Sequence, residues 1–388
     1  MAERVSTANR LASALARAIK GRPAPAAALA GAPPPPSALR RTSFARHEVS
    51  WRPLTPTLIR RTLNVWLEDA NSQLWVADAV ALGLRLARGT RYAAVLSSGP
   101  PHFQHEAARR LSVATGAPLV MDMRDPWSLQ QRLIAHVASP LWIEHARRRE
   151  ARCVARAALV VANTAAAAEG LAGVYPQARD RIETVMNGWD GAPLPWRRAP
   201  RFSIRYAGAI YLDRNPETLF QGLRLATEHL GVPPGDLTVE FMGAVESLDG
   251  TSLGAIAARV GVADQVRLHP PGTRAEAAAF VEGAAMLVSL PQDSDLAIPS
   301  KVFEYMRYPV RLLVLAEAAS ATGRVMRETS AEVVAPGDVA GIAAAIVRAH
   351  AEWRAGTPVE AIAASGRFSR EGEGQKLFRR LTAIVRPG

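Results

Sequence analysis

The stretch from residue 284 to 305, AAMLVSLPQDSDLAIPSKVFEY, contains the elements that decide the fold. Its first seven residues form an apolar run of strand length, which is typical of a strand buried in a parallel sheet. A polar loop follows, and PSKVFEY at 299–305 then predicts the start of a helix. Lys301 is one of only three lysines among 47 basic residues, and it precedes Glu304 by one helical turn. A surface ion pair explains this spacing, but a lysine in so arginine-rich a chain also indicates a ligand site.

The same alternation of short apolar runs and helix-length amphipathic stretches extends over most of the chain. We predict ten strands, at 92–98, 117–123, 157–163, 182–187, 202–208, 237–243, 266–270, 284–290, 311–316 and 331–336. Strands separated by helices form parallel sheets that are covered on both faces. The predicted fold class is therefore α/β, with two Rossmann-like, doubly wound domains.

A segment rich in proline, glycine and arginine, NGWDGAPLPWRRAPR at 187–201, separates the first four strands from the last six. Such composition is typical of a domain boundary. We predict an atypical N-terminal segment, two domains and a C-terminal helix begun by Ser369, with the ranges 1–50, 51–195, 196–368 and 369–388.

The first fifty residues differ from the rest. RLASALARAIK at 10–20 predicts an amphipathic helix, and RPAPAAALAGAPPPP at 22–36 predicts an extended or disordered segment. Arg17 interrupts the apolar residues of the first segment, so the sequence does not predict a secretory signal.

Composition restricts the class of protein. The chain has 388 residues, enough for two domains, and no apolar run long enough for a membrane helix. Its single cysteine, Cys153, excludes an internal disulfide and predicts a reducing, cytoplasmic location, with the side chain acting as a small buried apolar group. The net charge of +12 predicts an acidic partner.

Charge alone does not identify that partner. Arginine clusters such as HARRREARCVAR at 145–156 fit either a solvated surface or a peripheral contact with an anionic membrane. Aromatic residues make up only 6% of the chain, and no nucleic-acid-binding module is recognisable. We therefore predict no nucleic-acid partner.

Informative loops follow several of the predicted strands. The chain contains LSSGPPHFQH, MDMRDPW, VMNGWD, YAGAIYLDRNP and IPSKVFEYM in that order. This series resembles the family 4 glycosyltransferases of GT-B architecture, from about residue 75 to the C-terminus. The resemblance implies two Rossmann-like domains that face an interdomain cleft, with an acceptor-side first domain and a second domain that binds a nucleotide diphosphate sugar. It also implies a C-terminal helix that packs back toward the first domain.

The resemblance implies a donor site in the second domain. There a helix N-terminus and a lysine bind the diphosphate, a glycine lets the backbone approach it, and a glutamate binds the ribose. The matching donor residues are Gly208, Arg214, Ser300, Lys301 and Glu304, and the hinge residues are Asn187, Gly188 and Asp190. Two positions depart from the family: Ala209 replaces a frequent arginine, and Leu296 replaces the first of two glutamates eight residues apart. Asp293 or Asp295 is then a candidate for the sugar hydroxyls.

On the acceptor side, the resemblance places RDPW where many relatives have a histidine near the reacting sugar. Arg124 and Asp125 are candidates for orienting the sugar or the acceptor, unless they only contact each other within the loop. Trp127 either stacks on a ring or anchors the next helix. His102 is a candidate for acting on the acceptor or the phosphate, whereas we expect His105 on the helix surface.

The aspartates of DSD at 293–295 also fit a divalent metal site, but a solvated acidic loop is the simpler explanation. The resemblance implies a metal-independent enzyme with no cofactor other than the nucleotide sugar as co-substrate. It further implies transfer of the glycosyl group to a hydroxyl with retention of configuration, on a saccharide, lipid-linked or small-molecule acceptor. Cell-surface polysaccharide or glycolipid assembly is the expected role, and a secondary-metabolite acceptor is an alternative.

One departure favours a different class of function. Relatives begin with a strand and a glycine-rich loop, and residues 1–90 show neither. The first sheet is then expected to have an altered or exposed position beside its first strand. A truncated, non-catalytic glycosyltransferase-like binding protein is the alternative to an enzyme. A sugar-nucleotide epimerase of similar architecture fits less well, because RDPW and PSKVFEY point to transferases.

Overall fold

The computed structural model describes residues 44–46, 50–51, 53–130, 132–210, 214–248, 250–291 and 295–385. The predicted helix at 10–20 and the proline-rich segment at 22–36 lie outside these residues. The chain divides into two compact units, one of Met1–Val160 with Gln177–Arg181 and one of Val161–Pro176 with Ile182–Gly388. The four domain ranges given above stay a prediction.

The elements follow one another in the alternating order that the sequence predicts. In the N-terminal half they are β1 Phe44–Arg46, α1 Pro56–Ala87, β2 Val95–Gly99, α2 Phe103–Thr115, β3 Leu119–Met123, β4 Arg132–Ile134, α3 Pro140–Arg156, β5 Ala157–Ala162, α4 Ala165–Val174 and β6 Ile182–Thr184. A short 3-10 helix, Pro176–Arg181, precedes β6.

The later elements are β7 Phe202–Ala207, α5 Glu217–Leu230, β8 Leu237–Met242, β9 Ser247–Leu248, β10 Thr251–Ser252, α6 Leu253–Val260, β11 Val266–His269, α7 Arg274–Glu282, β12 Met286–Ser289, α8 Ser300–Tyr305, β13 Arg311–Leu315, α9 Ala321–Met326, β14 Glu332–Val334, α10 Val339–Ala355 and α11 Arg370–Val385. Short 3-10 helices occupy Pro234–Asp236, Ala263–Gln265 and Ile362–Ser365. All ten predicted strands are present, each one to three residues shorter than its predicted range.

The N-terminal sheet has four strands in the order β2-β3-β5-β6. Strands β2 and β3 run parallel, with Val95 opposite Leu119, and β1 pairs only with β4, antiparallel. The central strand β3 is fully buried at Leu119, Val120 and Met121, as a continuous apolar run in a covered parallel sheet requires. Within the described residues β2 is an edge strand, and Leu96 on it is 53% exposed.

Helix α1 was not among the sequence-based predictions. Thr55 caps it by accepting a hydrogen bond from Leu58 N at 3.1 Å, and Pro56 begins it. The helix buries Leu58, Val65 and Val76 and packs against α2. Although it has 32 residues, no helix in the described part of the chain is both long and apolar enough to cross a membrane.

The second sheet has six strands in the order β11-β8-β7-β12-β13-β14, and every pair is parallel. Its inner strands bury aromatic side chains fully, including Phe202, Tyr206 and Phe241. From the middle of this sheet outward, β7, β8 and β11 form one half in chain order, and β12, β13 and β14 form the other half. The direction of strand addition therefore reverses between β7 and β12.

Candidate functional site

The strongest candidate site lies at the carboxyl ends of β7 and β12. These two strands are parallel neighbours, and Ile204 on β7 pairs with Met286 on β12. In an open α/β sheet the helices on either side of such a reversal leave a crevice at the carboxyl ends of the strands, where ligands bind. The residues that follow β7 and β12 should therefore supply any binding groups in this unit.

Lys301 reaches this point from α8. Its Nζ donates hydrogen bonds to the carbonyl oxygen of Ala207, the last residue of β7, at 2.9 Å and to the Tyr206 hydroxyl at 3.0 Å. The ammonium also lies 4.2 Å from the centroid of the Tyr206 ring, a distance that gives a favourable cation–π interaction. The lysine is thus held at the reversal point, as a ligand site requires, and a surface pair with Glu304 is not needed to explain its presence.

Two tyrosines that the sequence did not indicate fix the backbone beneath Lys301. The Tyr206 hydroxyl donates to the carbonyl of Ala209 at 2.9 Å, and the Tyr305 hydroxyl accepts from Ala207 N at 2.8 Å. Burial raises the pKa of Tyr305, so this hydroxyl stays protonated. The backbone of the turn after β7 is therefore held at Ala207 and Ala209 by hydrogen bonds with side chains from the sheet and from α8.

Glycines allow the turn after β7 to lie close to Lys301 and to the turn after β8. Gly208 has a φ of 144°, and a side chain at this position would collide with Lys301 Nζ. Gly243, after β8, has a φ of 133°, and a Cβ there would collide with the carbonyl oxygen of Gly208. Such φ values strongly favour glycine. Sequence reasoning missed Gly243, although a glycine directly after a predicted strand was an available signal.

The other predicted donor residues lie around this turn. Ser300 is the exposed first residue of α8, which has only six residues, and Glu304 is exposed one turn later. Arg214 is buried, with 7% of its surface exposed. The structure thus brings Gly208 and Lys301 into direct contact, and Ser300 and Glu304 share the short helix that carries the lysine.

A cavity of about 360 Å³ lies at the carboxyl ends of β12, β13 and β14. Its described lining is mixed, with the two prolines Pro291 and Pro336 and with polar groups that include the acids Asp295 and Glu317. Asp295 is one of the two residues predicted to bind sugar hydroxyls, whereas Asp293 lies outside the described residues. Carboxylate and amide groups are suited to accepting hydrogen bonds from hydroxyls.

The predicted hinge residues are involved in anchoring α11. Trp189 N donates to Phe368 O at 3.0 Å, and Arg370 N donates to Trp189 O at 2.8 Å. A side chain at Gly188 would collide with the backbone of residues 368–370, so the close approach of the two segments requires a glycine there. Asp190 forms an ion pair with Arg370 at 3.0 Å, while Asn187 precedes this segment. A hinge function for these residues stays a prediction.

The C-terminal helix is further held by a buried acid. Gly372 N donates to the Ser369 side chain at 3.1 Å, which confirms Ser369 as the residue that begins the helix. Glu373 is 5% exposed and accepts from Met186 N at 2.9 Å. Lys376, one turn later, pairs with this carboxylate at 2.5 Å.

In the first unit, a buried cluster is formed by His102 in the loop after β2, His105 on α2 and Trp127 in the loop after β3. Trp127 stacks on His102 with ring centroids 5.2 Å apart. His105 is fully buried, and its Nδ1 lies 2.8 Å from Ser97 Oγ. The expectation that His105 lies on the helix surface was therefore wrong, because the face of α2 that carries it packs on the sheet rather than facing solvent.

Burial also decides the charge of these imidazoles. It lowers the pKa of His102 to about 4 and, with the added repulsion of a charged His102, that of His105 to about 3. Both rings are neutral at pH 7. Neither ring nitrogen of His102 has a hydrogen-bond partner within the part of the chain that the structure describes.

The RDPW loop exposes its charged residues and buries its tryptophan. Arg124 and Asp125 are exposed, and Arg124 N donates to Gly99 O at 3.0 Å. Desolvation by neighbouring atoms raises the pKa of Asp125 although its side chain is exposed, and the charge of Arg124 opposes that rise. Ser128 anchors the end of the loop by donating its N and Oγ to the buried Glu150. The two charged side chains are thus presented on a fixed loop.

Cys153 on α3 is fully buried, which confirms its prediction as a small buried group. Burial, together with the neighbouring Glu106 carboxylate, raises the pKa of its thiol to about 12. A thiol with that pKa is not nucleophilic at neutral pH. No group of three histidine, cysteine or acidic residues that could hold a metal ion occurs among the described residues.

No protein-family profile and no curated protein sequence matches the chain. Solved structures do match it: α,α-trehalose 6-phosphate synthase from Burkholderia multivorans has a TM-score of 0.54 at 12% identity, over 82% of this chain and 77% of that chain. The UDP-forming trehalose-phosphate synthase from Burkholderia xenovorans gives 0.53 at 11% identity, over 82% of this chain and 80% of the other. HepE of Anabaena, solved with UDP and glucose, gives 0.50 at 16% identity, over 78% and 81%. At these identities the likeness shows the fold, and this chain has the GT-B fold with two Rossmann-like domains.

Proposed function

We propose that this protein is a glycosyltransferase that binds a nucleotide diphosphate sugar at Lys301. The observation that carries the proposal is the position of the Lys301 ammonium, hydrogen-bonded to Ala207 O at the point where the order of strands reverses. A compact cation at this point is suited to the oxygens of a diphosphate. The resemblance to family 4 glycosyltransferases in PSKVFEY supports the same residue.

The remaining donor contacts follow from the surroundings of Lys301. Gly208 lets the Lys301 ammonium lie directly against the backbone, and Ser300 adds the first N–H group and hydroxyl of α8. Glu304, exposed one turn on, accepts hydrogen bonds from the ribose hydroxyls. Arg214, in the loop after β7, adds positive charge, and Asp295 in the cavity at the ends of β12, β13 and β14 accepts from the sugar hydroxyls. One of the matched structures contains UDP and another is a UDP-forming synthase, which makes UDP-sugars the first donors to test.

The proposed reaction proceeds with retention of configuration and without a metal ion. The bond from the anomeric carbon to the diphosphate oxygen breaks, the bond from that carbon to the acceptor oxygen forms, and the acceptor proton passes to the leaving phosphate. Lys301 stabilises the charge on that phosphate. Arg124 and Asp125 orient the acceptor, and neutral His102 accepts a hydrogen bond from it. We propose a saccharide or lipid-linked acceptor in cell-surface assembly, which the resemblance favours.

A ligand screen tests the donor site. The full chain is mixed with UDP-, GDP-, ADP- and dTDP-sugars without added metal, and its melting temperature and calorimetric binding are measured. One nucleotide sugar should stabilise the wild type, and Lys301→Met should lose that gain while Lys376→Met, a lysine substitution in α11, keeps it. The proposal fails if no nucleotide sugar binds, or if both lysine variants bind equally well.

A second candidate is a non-catalytic nucleotide-sugar-binding protein. The unpaired edge of β2 in the described residues favours it, since the relatives' first strand and glycine-rich loop would lie on that side. Measuring the release of free nucleotide from the bound sugar donor distinguishes a glycosyltransferase from a non-catalytic binding protein. Donor binding without any release, across a panel of saccharide and lipid acceptors, favours the binding protein.

A further inference from the structure

A second apolar face on α1 is left exposed by the residues that the structure describes. Eight uncharged residues follow one another at intervals of three or four along the helix: Ile59, Leu63, Trp66, Ala70, Leu74, Ala77, Ala81 and Leu84. Such spacing places them in one stripe, about 38 Å long at 1.5 Å per residue. All eight are exposed, with Trp66 at 66% and Ile59 at 60%. We call these residues the α1 stripe.

The α1 stripe is separate from the face by which α1 joins its own unit. The buried residues Leu58, Val65 and Val76 project about 110° away from the centre of the stripe, at 100° per residue. A surface helix normally has one apolar face and one polar face. A helix with a second continuous apolar face is typical of a surface that another chain covers.

The side-chain sizes along the stripe are complementary to those of a second copy of the helix that runs antiparallel to it. With a two-fold axis at Ala70, Trp66 lies opposite Leu74 of the second copy, Leu63 opposite Ala77, and Ile59 opposite Ala81. The large residues of the N-terminal half therefore meet the smaller residues of the C-terminal half, twice by symmetry. Alanine on the axis allows the helices to approach closely.

The charges beside the stripe match the same arrangement. Arg60 and Asp78 lie along the same flank of the stripe, and in the antiparallel dimer Arg60 of one copy lies opposite Val80 of the other, about 3 Å along the helix from Asp78 and within reach of the long arginine side chain. Neither forms an ion pair with any residue that the structure describes. The helix carries three arginines and three acids, so it lacks the excess of positive charge that an anionic lipid surface would select.

We propose that α1 is a homodimerisation surface, in which the α1 stripes of two copies pack antiparallel about Ala70. The interface is self-complementary in size and in charge, the two properties that a two-fold contact requires. A single helix pair buries less area than most stable interfaces, so we expect a dimer that dissociates on dilution.

Cross-linking tests the geometry of the dimer directly. Ala70→Cys in the full chain places two thiols on the axis, and oxidation should link most of the protein into dimers. The native Cys153 is buried and does not compete. Asn71→Cys is the matched control, because this exposed neighbour projects about 100° off the stripe and should give little product. Equal cross-linking of the two variants, or of neither, overturns the proposal.

Charge reversal tests the pairing in solution. Sedimentation velocity should show the 41.6 kDa chain forming dimers as its concentration rises. Arg60→Asp or Asp78→Arg alone should weaken the dimer about tenfold, and the double variant should restore it. A chain that is monomeric at all concentrations contradicts the proposal, as does a dimer that these variants leave unchanged. Binding to anionic vesicles that Ala70→Glu abolishes, without dimers, identifies lipid as the occupant instead.

Discussion

The two sheets of this protein differ in how completely their side chains are buried. The candidate site at Lys301 lies on the well-packed sheet, and the exposed apolar residues lie beside the other sheet. The six-stranded sheet buries its aromatic core fully, and Lys301, Tyr206 and Tyr305 are each held by hydrogen bonds to the turn after β7. Among the residues that the structure describes, the four-stranded sheet ends at β2, where Leu96 is exposed, and helix α1 exposes the α1 stripe. A site for a charged ligand requires hydrogen-bond donors in fixed positions. An unpaired strand edge and an exposed apolar helix face are instead typical of surfaces that bind another protein chain.

The largest effect should come from disturbing the well-packed sheet at its turns. Gly243→Ala places a Cβ against the Gly208 carbonyl at a φ of 133° and should destabilise the protein by about 2 to 4 kcal/mol. Denaturant unfolding measures the loss. Gly254→Ala in α6, where a Cβ meets no neighbour, should instead stabilise by up to about 1 kcal/mol. Similar losses for both variants would show that the turn is not constrained.

Acid should act mainly on the first unit, through its buried imidazoles. Because the pKa values of His102 and His105 fall to about 4 and 3, the unfolded chain takes up protons near pH 6.5 before the folded chain does. The stability that these residues contribute is therefore fully present above pH 6.5 and is lost as the pH falls toward 4. We expect a loss of about 3 kcal/mol between pH 6.5 and 5.0, measured by denaturant unfolding.

A histidine variant identifies the source of that loss. His105→Gln should reduce the slope of stability against pH in this range, whatever its effect at pH 7. His229→Gln, an exposed histidine of α5, should leave the slope close to that of the wild type. An unchanged slope in His105→Gln would mean that the acid sensitivity comes from other groups.

Sequence reasoning was most successful where a local pattern determines the structure. The ten strands, the glycine after β7 and the lysine of PSKVFEY were all predictable, because period, turn chemistry and composition are local signals. The roles of Tyr206 and Tyr305 were not predictable, since each depends on which strand lies beside β7 in the finished sheet. His105 was misplaced for a similar reason: whether a helix face is buried depends on its packing against distant residues such as Trp127.

A smaller effect is expected from loosening the support of Lys301. Tyr206→Phe removes the hydroxyl that accepts from Lys301 and donates to Ala209 O, and should cost about 1 to 2 kcal/mol of stability. It should also weaken the binding of any nucleotide sugar that the ligand screen identifies, as measured by calorimetry. The control is Tyr308→Phe, whose hydroxyl has no hydrogen-bond partner among the described residues. Equal affinities in the two variants would mean that Tyr206 does not position the lysine.

The smallest effect should come from the exposed ion pair at the start of α11. Asp190 and Arg370 are 71% and 66% exposed, so water and salt screen their attraction. Asp190→Asn should therefore change stability by about 0.5 kcal/mol or less, whereas Gly188→Ala, which collides with the backbone of the same segment, should cost about 2 kcal/mol or more. Thermal unfolding of the two variants at low and high salt measures both. A salt-dependent loss of more than 1 kcal/mol in Asp190→Asn would show that charge, rather than close backbone packing, anchors the C-terminal helix.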